Sequence, residues 1–179
     1  DDETWHIMAA RNLALGERMG LNIMTVCSGC FETLEETNEI LKENKVLRDR
    51  VNERLASIGF QFQGKIRVQN VIEVLYDVVG IRKIAEAVTK PLTGIKVCPQ
   101  VGCRLYKSEE KLNLPRKFRE IAEAIGCTIV NYETERVCCG FPTIYADVNF
   151  GYMNRTKPKL DDIKNAASDG VVVICPACL

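Results

Sequence analysis

Apolar residues recur at helical spacing in two stretches near the beginning of the chain, and a short apolar run separates them. The first stretch predicts a helix over residues 5–19, and the second predicts one long amphipathic helix over residues 33–58. The run between them, residues 21–26, predicts a strand that leads directly into Cys27. The predicted apolar stripe of the first helix consists of Trp5, Met8, Leu15 and Met19.

Strand-length apolar runs alternate with helical patterns through the rest of the chain. Helices are predicted over residues 70–79, 81–89, 115–126 and 145–168, the last with a break at Pro158. Strands are predicted over residues 95–97, 127–132 and 171–174. The alternation predicts an α/β protein with short, largely parallel sheets flanked by helices. Because parallel strands end at one edge of their sheet, we expect the cysteines that follow these strands to meet there.

Composition and charge narrow the possible functions. The 179 residues carry 24 Lys and Arg against 24 Asp and Glu, and this zero net charge argues against binding to nucleic-acid phosphates. No apolar run reaches the roughly 18 residues that a membrane span needs. The unusual number is nine cysteines against a single histidine, His6, which we interpret as a structural or surface residue.

Three kinds of chemistry can use so many cysteines. A disulfide framework suits small secreted domains that lack a core, and it fits poorly with an odd count in a chain of this length. Structural zinc is compatible with the two CxxC motifs, at Cys27 and Cys30 and at Cys175 and Cys178. Iron–sulfur chemistry with thiolate ligands is the interpretation we favour, and it predicts a reducing, cytoplasmic location.

The order of helix, glycine, short strand and CxxC occurs twice, in residues 5–30 and 152–178, with the two motifs 148 positions apart. The second copy also contains Cys103 and the adjacent pair Cys138 and Cys139. At the same offset, the equivalent pair of the first copy would precede Asp1. We therefore expect the chain to be a fragment that begins inside its first repeat.

The spacing C-x34-CCG-x35-CxxC, formed by the cysteines from Cys103 to Cys178, resembles the cysteine-rich CCG domain in the B-type subunit of methanogen heterodisulfide reductase. Three further segments resemble that subunit: Ala-Ala-Arg-Asn-Leu-Ala at 9–14, Val-Cys-Ser-Gly-Cys-Phe at 26–31 and Val-Leu-Tyr at 74–76. Together with the cysteine motif, they extend the resemblance over essentially the whole chain.

This resemblance implies two duplicated CCG units, each holding a noncubane [4Fe–4S] cluster with five cysteines. Residues 1–92 would be the C-terminal part of the first unit with a helical connector. Residues 93–179 would be the second unit, truncated just after its CxxC. The implied ligands of the second cluster are Cys103, Cys138, Cys139, Cys175 and Cys178. Cys27 and Cys30 match the closing CxxC of the first unit, whose cluster we expect only in the full-length protein.

The resemblance also implies an activity and partners. The family reduces the mixed disulfide of coenzyme M and coenzyme B to two thiols during methanogenesis. It does so in a complex with two other heterodisulfide reductase components, a C-type iron–sulfur subunit plus an A-type flavin subunit. An alternative is a CCG electron-transfer subunit of a flavin-linked oxidoreductase of the lactate, glycerol-3-phosphate or succinate/fumarate type. A third possibility is a zinc-stabilised scaffold for the assembly of a complex.

Some residues depart from the family pattern or have a simpler interpretation. Arg104 stands where the family often has His, and Cys98 adds a thiol that is either an alternative ligand or a buried free thiol. Cys127 opens an apolar strand and is predicted to be a core residue. The cations Arg104, Lys107 and Arg116 could hold an anionic substrate or could simply be solvated. Gly140, after the cysteine pair, is expected to let the backbone approach a cluster.

Overall fold

The computed structural model describes residues 2–179, and its internal contacts divide the chain into two units. The first unit contains the residues up to Thr25 and Gly29–Asn70. The second contains Val26–Ser28 and Val71–Leu179. The predicted domain boundary between residues 92 and 93 stays a prediction.

The first unit combines three helices with a small parallel sheet. Strand β1 (Ile23–Thr25) pairs with β2 (Val68–Asn70), and Ile23 lies opposite Val68. The helices are α1 (Asp2–Met19), α2 (Ser28–Glu43) and α3 (Lys45–Ala56). Strand β2 was not predicted, because residues 68–70 are too few to display an alternating pattern.

Helix α1 buries a different stripe from the predicted one. Met8 and Met19 are 67% and 62% exposed, so their assignment to the core is wrong. The buried side chains on α1 are mostly small: Ala9, Ala10, Leu13 and Ala14. A Cβ on Gly16 would lie 2.8 Å from the Ile66 side chain, which shows how closely this face packs. Alanine contributes little to a hydrophobicity pattern, so the methionines dominated the prediction.

His6 has a structural role in the first unit, as one of the two alternatives predicted. It is buried on α1, and its Nδ1 lies 3.3 Å from Thr37 Oγ1 on α2.

The single helix predicted over residues 33–58 is two helices, α2 and α3, separated at Asn44. The Asn44 side-chain oxygen accepts a hydrogen bond from the Leu47 N–H at 3.0 Å and so caps α3. Both helices bury part of the predicted stripe, including Leu41 and Leu55, whereas Ile58 is exposed. A capping residue can end one helix and start another without interrupting the apolar periodicity, which explains the wrong prediction.

The second unit is built on a three-stranded parallel sheet. Its strands are β3 (Lys96–Gln100), β4 (Thr128–Ile129) and β5 (Gly170–Val173), in the order β4-β3-β5. Val97 of β3 lies opposite both Ile129 of β4 and Gly170 of β5. The predicted α/β class, with short parallel sheets flanked by helices, is confirmed.

Helices surround this sheet in short pieces. Before β3 the chain forms α4 (Val71–Glu73), a π-helical turn (Val74–Val79) and α5 (Ile81–Ala87). Between β3 and β4 it forms a 3₁₀ helix (Cys103–Ser108), α6 (Glu109–Leu112) and α7 (Leu114–Ala124). Between β4 and β5 lie α8 (Phe141–Ala146), α9 (Val148–Gly151), a π-helical turn (Tyr152–Thr156) and α10 (Lys157–Asn165). A 3₁₀ turn (Pro176–Cys178) follows β5.

The helix predicted over residues 145–168 is therefore interrupted more often than expected. Asp147 ends α8 and caps α9, since its carboxylate accepts from the Phe150 N–H at 2.8 Å. Pro158 lies in the first turn of α10, where its missing N–H costs least, and the wider π-helical turn precedes it.

Two of the cysteines belong to the core of the second unit. Cys127 packs with Val97 and Ala122, which confirms its prediction as a core residue. Cys98 is fully buried and packs with Tyr132 and Ile163. Of the two alternatives for Cys98, the structure thus favours a buried thiol.

None of the helices described for residues 2–179 is both long enough and apolar enough to cross a membrane.

Core packing on α1 can be tested with a matched pair of truncations. Leu13→Ala should lower the free energy of unfolding by about 2–5 kcal/mol, because it leaves a cavity at a fully buried position. Met8→Ala should change it by less than about 0.5 kcal/mol, because that side chain is exposed. Urea unfolding of both variants measures the difference, and equal losses would contradict the assigned face.

Candidate metal centre

The parallel sheet of the second unit brings the ends of three strands to one edge. Cys103 follows β3 after two residues, and Cys175 follows β5 after one. Cys138 and Cys139 lie at the end of the loop that leaves β4. Sequentially distant cysteines therefore leave the sheet in the same direction, as the alternating pattern predicted.

The thiols of these five cysteines interact with one another in a continuous series. Hydrogen bonds connect Cys103 with Cys138, and Cys139 with Cys178. Cys138 and Cys139 interact directly with each other, and Cys175 lies beside Cys178. All nine cysteines are among the described residues, and none of them forms a disulfide. The five cysteines of the motif are therefore free thiols that lie near one another in space.

The electrostatics of these thiols are uneven. A hydrogen bond from Cys178, together with the Phe141 N–H and nearby Lys159, lowers the pKa of Cys139 to about 6. The same hydrogen bond raises the pKa of Cys178 well above its usual range. Burial raises the pKa of Cys103, and the positive charge of Arg104 opposes this increase. Negative charge is therefore more favourable at Cys139 than at Cys103 or Cys178.

Gly140 allows a close approach of backbone to backbone behind the cysteine pair. Its φ is 99°, and a Cβ there would lie 2.7 Å from Thr156 Oγ1 and 2.9 Å from Arg155 Cβ. The Gly140 N–H donates to Cys138 Sγ at 3.4 Å, and the Thr156 hydroxyl donates to the Cys139 carbonyl at 2.8 Å. Because Gly140 has no side chain, the helical turn Tyr152–Thr156 can pack against it, and this turn fixes the orientation of Cys138 and Cys139.

Gly102 plays a similar part before Cys103. Its φ is 98°, and a Cβ there would lie 2.5 Å from Ser28 Oγ and 3.5 Å from Cys175 Cβ. The Ser28 hydroxyl also donates to the Val101 carbonyl at 3.1 Å. The segment Val26–Ser28, which contains Cys27, consequently packs against the loop that leads to Cys103.

The two cysteines of the first CxxC motif differ in position and in exposure. Cys27 precedes α2 and is partly exposed, whereas Cys30 lies in the first turn of α2 and is exposed. Their assignment to a separate metal centre stays a prediction.

Three polar side chains next to the thiols were missed by the sequence analysis: Gln100, Tyr132 and Lys159. All three are buried. Burial lowers the pKa of Lys159, while its electrostatic interactions with Cys178 and Cys139 oppose this effect. Lys159 occupies a position that breaks the apolar pattern of α10, and this was the available signal. Its partners come from loops and strands far away in sequence, so that signal could not reveal its role.

A cavity of about 350 Å³ lies beside Cys139 and Cys178. Most of its walls are apolar, formed by side chains such as Phe141, Leu160 and Val173, and Gln100 and Lys159 supply polar groups. An apolar wall of this kind lowers the local dielectric constant, so charges near the two thiols interact strongly.

The three predicted anion-binding cations differ in their surroundings. Arg104 lies close enough to Cys103 for its charge to act on that thiol. Arg116 instead forms an ion pair with Glu120 on α7 and lies over the ring of Tyr76. Glu120 thus partly neutralises the charge of Arg116, which favours a surface role for Arg116 over the binding of an anionic substrate. Lys107 lies on the 3₁₀ helix between Cys103 and α6.

The candidate ligands at this site are cysteine thiols, which suit a soft metal group with several metal atoms. Among residues 2–179, no three His, Cys, Asp or Glu side chains are placed to ligate one single ion. A structural zinc ion usually has four ligands, whereas the motif supplies five cysteines from the segments that follow three strands. Thiolates are the usual ligands of iron–sulfur clusters. The residues present therefore fit an iron–sulfur cluster better than a lone zinc ion.

Comparison with known families agrees with this donor set. Residues 97–179 match the family CCG, described as a cysteine-rich domain. This part of the chain is similar to CCG domains. All five cysteines discussed above lie inside the matched range, and the resemblance inferred from their spacing is confirmed.

Several relatives match this chain over nearly its whole length. The chain is 36% identical to the B-type subunit of the ferredoxin/F(420)H(2)-dependent CoB-CoM heterodisulfide reductase of Methanosarcina acetivorans, covering 99% of this chain and 61% of the relative. It is 30% identical to the 8-methylmenaquinol:fumarate reductase membrane anchor subunit of Wolinella succinogenes, covering 94% and 60%. The chain thus spans about three fifths of the length of these relatives.

A solved structure supports the fold alone. The crystal structure of a hypothetical protein from Helicobacter pylori superposes with a TM-score of 0.73 at 13% identity. The match covers 99% of this chain and 32% of the other.

The requirement for glycine behind the cysteine pair can be tested directly. Gly140→Ala should destabilise the protein by about 1–3 kcal/mol, because alanine is strained at this φ and its Cβ would contact Arg155 and Thr156. Gly170→Ala is the matched control, since no atom lies within 4 Å of a Cβ at that position. If urea unfolding gave the same stability for both variants, the close packing behind Cys138 and Cys139 would be refuted.

Proposed function

We propose that the CCG domain holds a noncubane [4Fe–4S] cluster through Cys103, Cys138, Cys139, Cys175 and Cys178. We further propose that the chain is part of the catalytic iron–sulfur subunit of a CoB–CoM heterodisulfide reductase. The observation that carries both proposals is the convergence of these thiols at the carboxyl edge of one parallel sheet. Relatives with this name along nearly the whole chain support the choice of reaction.

The proposed reaction converts one mixed disulfide, two electrons and two protons into two thiols, those of coenzyme M and coenzyme B. When bound, the iron–sulfur group would supply electrons one at a time. The chain's own residues hold that group from several sides, and the adjacent pair Cys138 and Cys139 places two thiolates in a small volume. The only histidine, His6, belongs to the first unit, so the proposed protons are supplied from outside the CCG domain.

A second centre in the longer protein is part of the same proposal. Cys27 and Cys30 would contribute to it, together with cysteines outside this chain. Splitting a disulfide requires an acceptor for each sulfur, and two clusters would provide one on each side. The proposed partners are the C-type iron–sulfur subunit, the A-type flavin subunit, and the heterodisulfide substrate, in the cytoplasm.

The alternative function is electron transfer without contact with a disulfide. The 30% identity to a subunit named for a fumarate reductase supports it. An assay of the full-length complex with the coenzyme M–coenzyme B disulfide separates the two functions. Release of both thiols supports the reductase. Cluster reduction and reoxidation without thiol release supports the alternative.

The ligand assignment predicts different roles for two buried or half-buried cysteines. Cys139→Ala should abolish binding of iron and acid-labile sulfide, because it removes a ligand from the centre. Cys127→Ala should retain both and cost about 1 kcal/mol of stability, because it only truncates a core side chain. Iron and sulfide analysis after anaerobic reconstitution measures the effect. Equal iron in the two variants would contradict the assignment, and one zinc ion in place of iron would refute the iron–sulfur proposal.

The proposed second centre predicts a difference between this chain and its full-length form. The 179-residue chain should bind about four irons, and the full-length protein should bind about eight. The reason is that Cys27 and Cys30 alone cannot complete a cluster. Iron quantitation decides the question: about four irons in both proteins would exclude the two-centre arrangement.

A further inference from the structure

Gln100, at the end of β3, connects the thiol of Cys178 to a buried polar network. Its side-chain oxygen accepts hydrogen bonds from Lys159 Nζ at 3.0 Å and from the Tyr132 hydroxyl at 2.7 Å. Its side-chain nitrogen donates to Cys178 Sγ at 3.8 Å. All three polar side chains are buried, so water does not replace these contacts.

The network determines which way the Gln100 amide faces. The ammonium of Lys159 can only donate, so the part of the amide that faces it must be the oxygen. If the amide were rotated by 180°, its N–H groups would face the ammonium and the thiol would face an oxygen. The orientation with an N–H toward Cys178 is therefore held by Lys159 rather than by Cys178 itself, while the Tyr132 hydroxyl lies within hydrogen-bond distance of both the amide oxygen and the Pro99 carbonyl.

Lys159 brings a positive charge into this region, and no carboxylate among the described residues is its hydrogen-bond partner. Besides the Gln100 oxygen, its Nζ donates to the backbone carbonyls of Thr134 and Glu135, which are neutral. The ammonium also lies 5.1 Å from the centre of the Tyr132 ring. A buried ammonium with only neutral acceptors still requires a negative charge nearby.

The two carboxylates that act on Lys159 are already committed to other groups. Glu135 is paired with Arg119 and accepts from the Tyr106 hydroxyl at 2.7 Å. Asp162 accepts from the Thr134 N–H and hydroxyl. Through Gln100, Lys159 is connected instead to Cys178, one of the proposed cluster ligands. Thiolates that bind a cluster on this side would therefore supply the counter-charge of the buried ammonium.

We propose that Gln100 and Lys159 are positioning residues that raise the reduction potential of the CCG centre at Cys178 and Cys139. This inference rests on the proposed function, because it requires a redox group bound by these thiolates. Reduction adds negative charge at the thiolate ligands. An N–H···S hydrogen bond and a nearby ammonium both stabilise that added charge, most strongly beside an apolar cavity.

The experiment compares reduction potentials of the reconstituted full-length protein with those of three variants. Lys159→Met removes the ammonium and keeps an unbranched side chain of similar length. Gln100→Leu removes the hydrogen bond to Cys178 and one of the acceptors of Lys159, but keeps the ammonium. Lys157→Met is the matched control, because Lys157 lies on the same helix but is exposed and paired with Asp161.

Lys159→Met and Gln100→Leu should each make the bound cluster at least tenfold less favourable to reduce, which is a shift of about 59 mV to more negative potential for one electron. Lys157→Met should leave the potential unchanged. Exchange into D₂O should shift the Fe–S stretching bands of the wild type in resonance Raman spectra, and Gln100→Leu should lose this shift, because no exchangeable N–H then faces Cys178. A purely structural role for the two residues would leave both readouts unaltered.

The outcomes separate this inference from the proposed function. Absence of iron in the wild-type protein would refute the proposed function itself. Unchanged potentials in Lys159→Met and Gln100→Leu, at full iron content, would overturn only the role of Gln100 and Lys159. If one variant does not fold, the other decides. Loss of iron from both variants in a folded protein would also overturn the inference, because the network would then serve assembly and not potential.

Discussion

The parallel pairing of β3 with β4 on one side and β5 on the other is the constraint on which the candidate site depends. Parallel strands share a direction, so every chain segment that leaves their carboxyl ends emerges at one edge. The cysteines of the motif lie two to ten positions after those ends. Without this pairing, residues more than 70 positions apart in sequence, such as Cys103 and Cys175, would have no reason to meet.

Close packing around two glycines then fixes the orientation of the loops that carry the cysteines. Gly102 and Gly140 adopt a conformation that other residues rarely adopt, and each allows neighbouring groups to approach where a side chain would clash. The loops on both sides of the thiols are consequently held by hydrogen bonds from the Ser28 and Thr156 side chains to their backbone carbonyls.

Around the thiols, buried polar groups and apolar walls act together. The walls of the cavity beside Cys139 and Cys178 are mostly apolar, so the ammonium of Lys159 and the amide N–H of Gln100 have larger effects there than they would in bulk water. The lowered pKa of Cys139 and the raised pKa of Cys178 belong to the same arrangement, in which the two thiols share a hydrogen bond. Charge at this site is thus controlled by few groups.

The sequence by itself determined the α/β class, the core role of Cys127 and the CCG motif, because alternation and cysteine spacing are local properties of the chain. It also misled in places: Asn44 and Asp147 end helices within continuous apolar patterns, and the alanines of α1 give a weaker signal than Met8. Only the tertiary structure decided that Cys98 is buried in the core, and that Gln100 connects Lys159 to Cys178. Those contacts join residues 59 and 78 positions apart, and the direction of a single amide in such a network depends on which donors surround it in space.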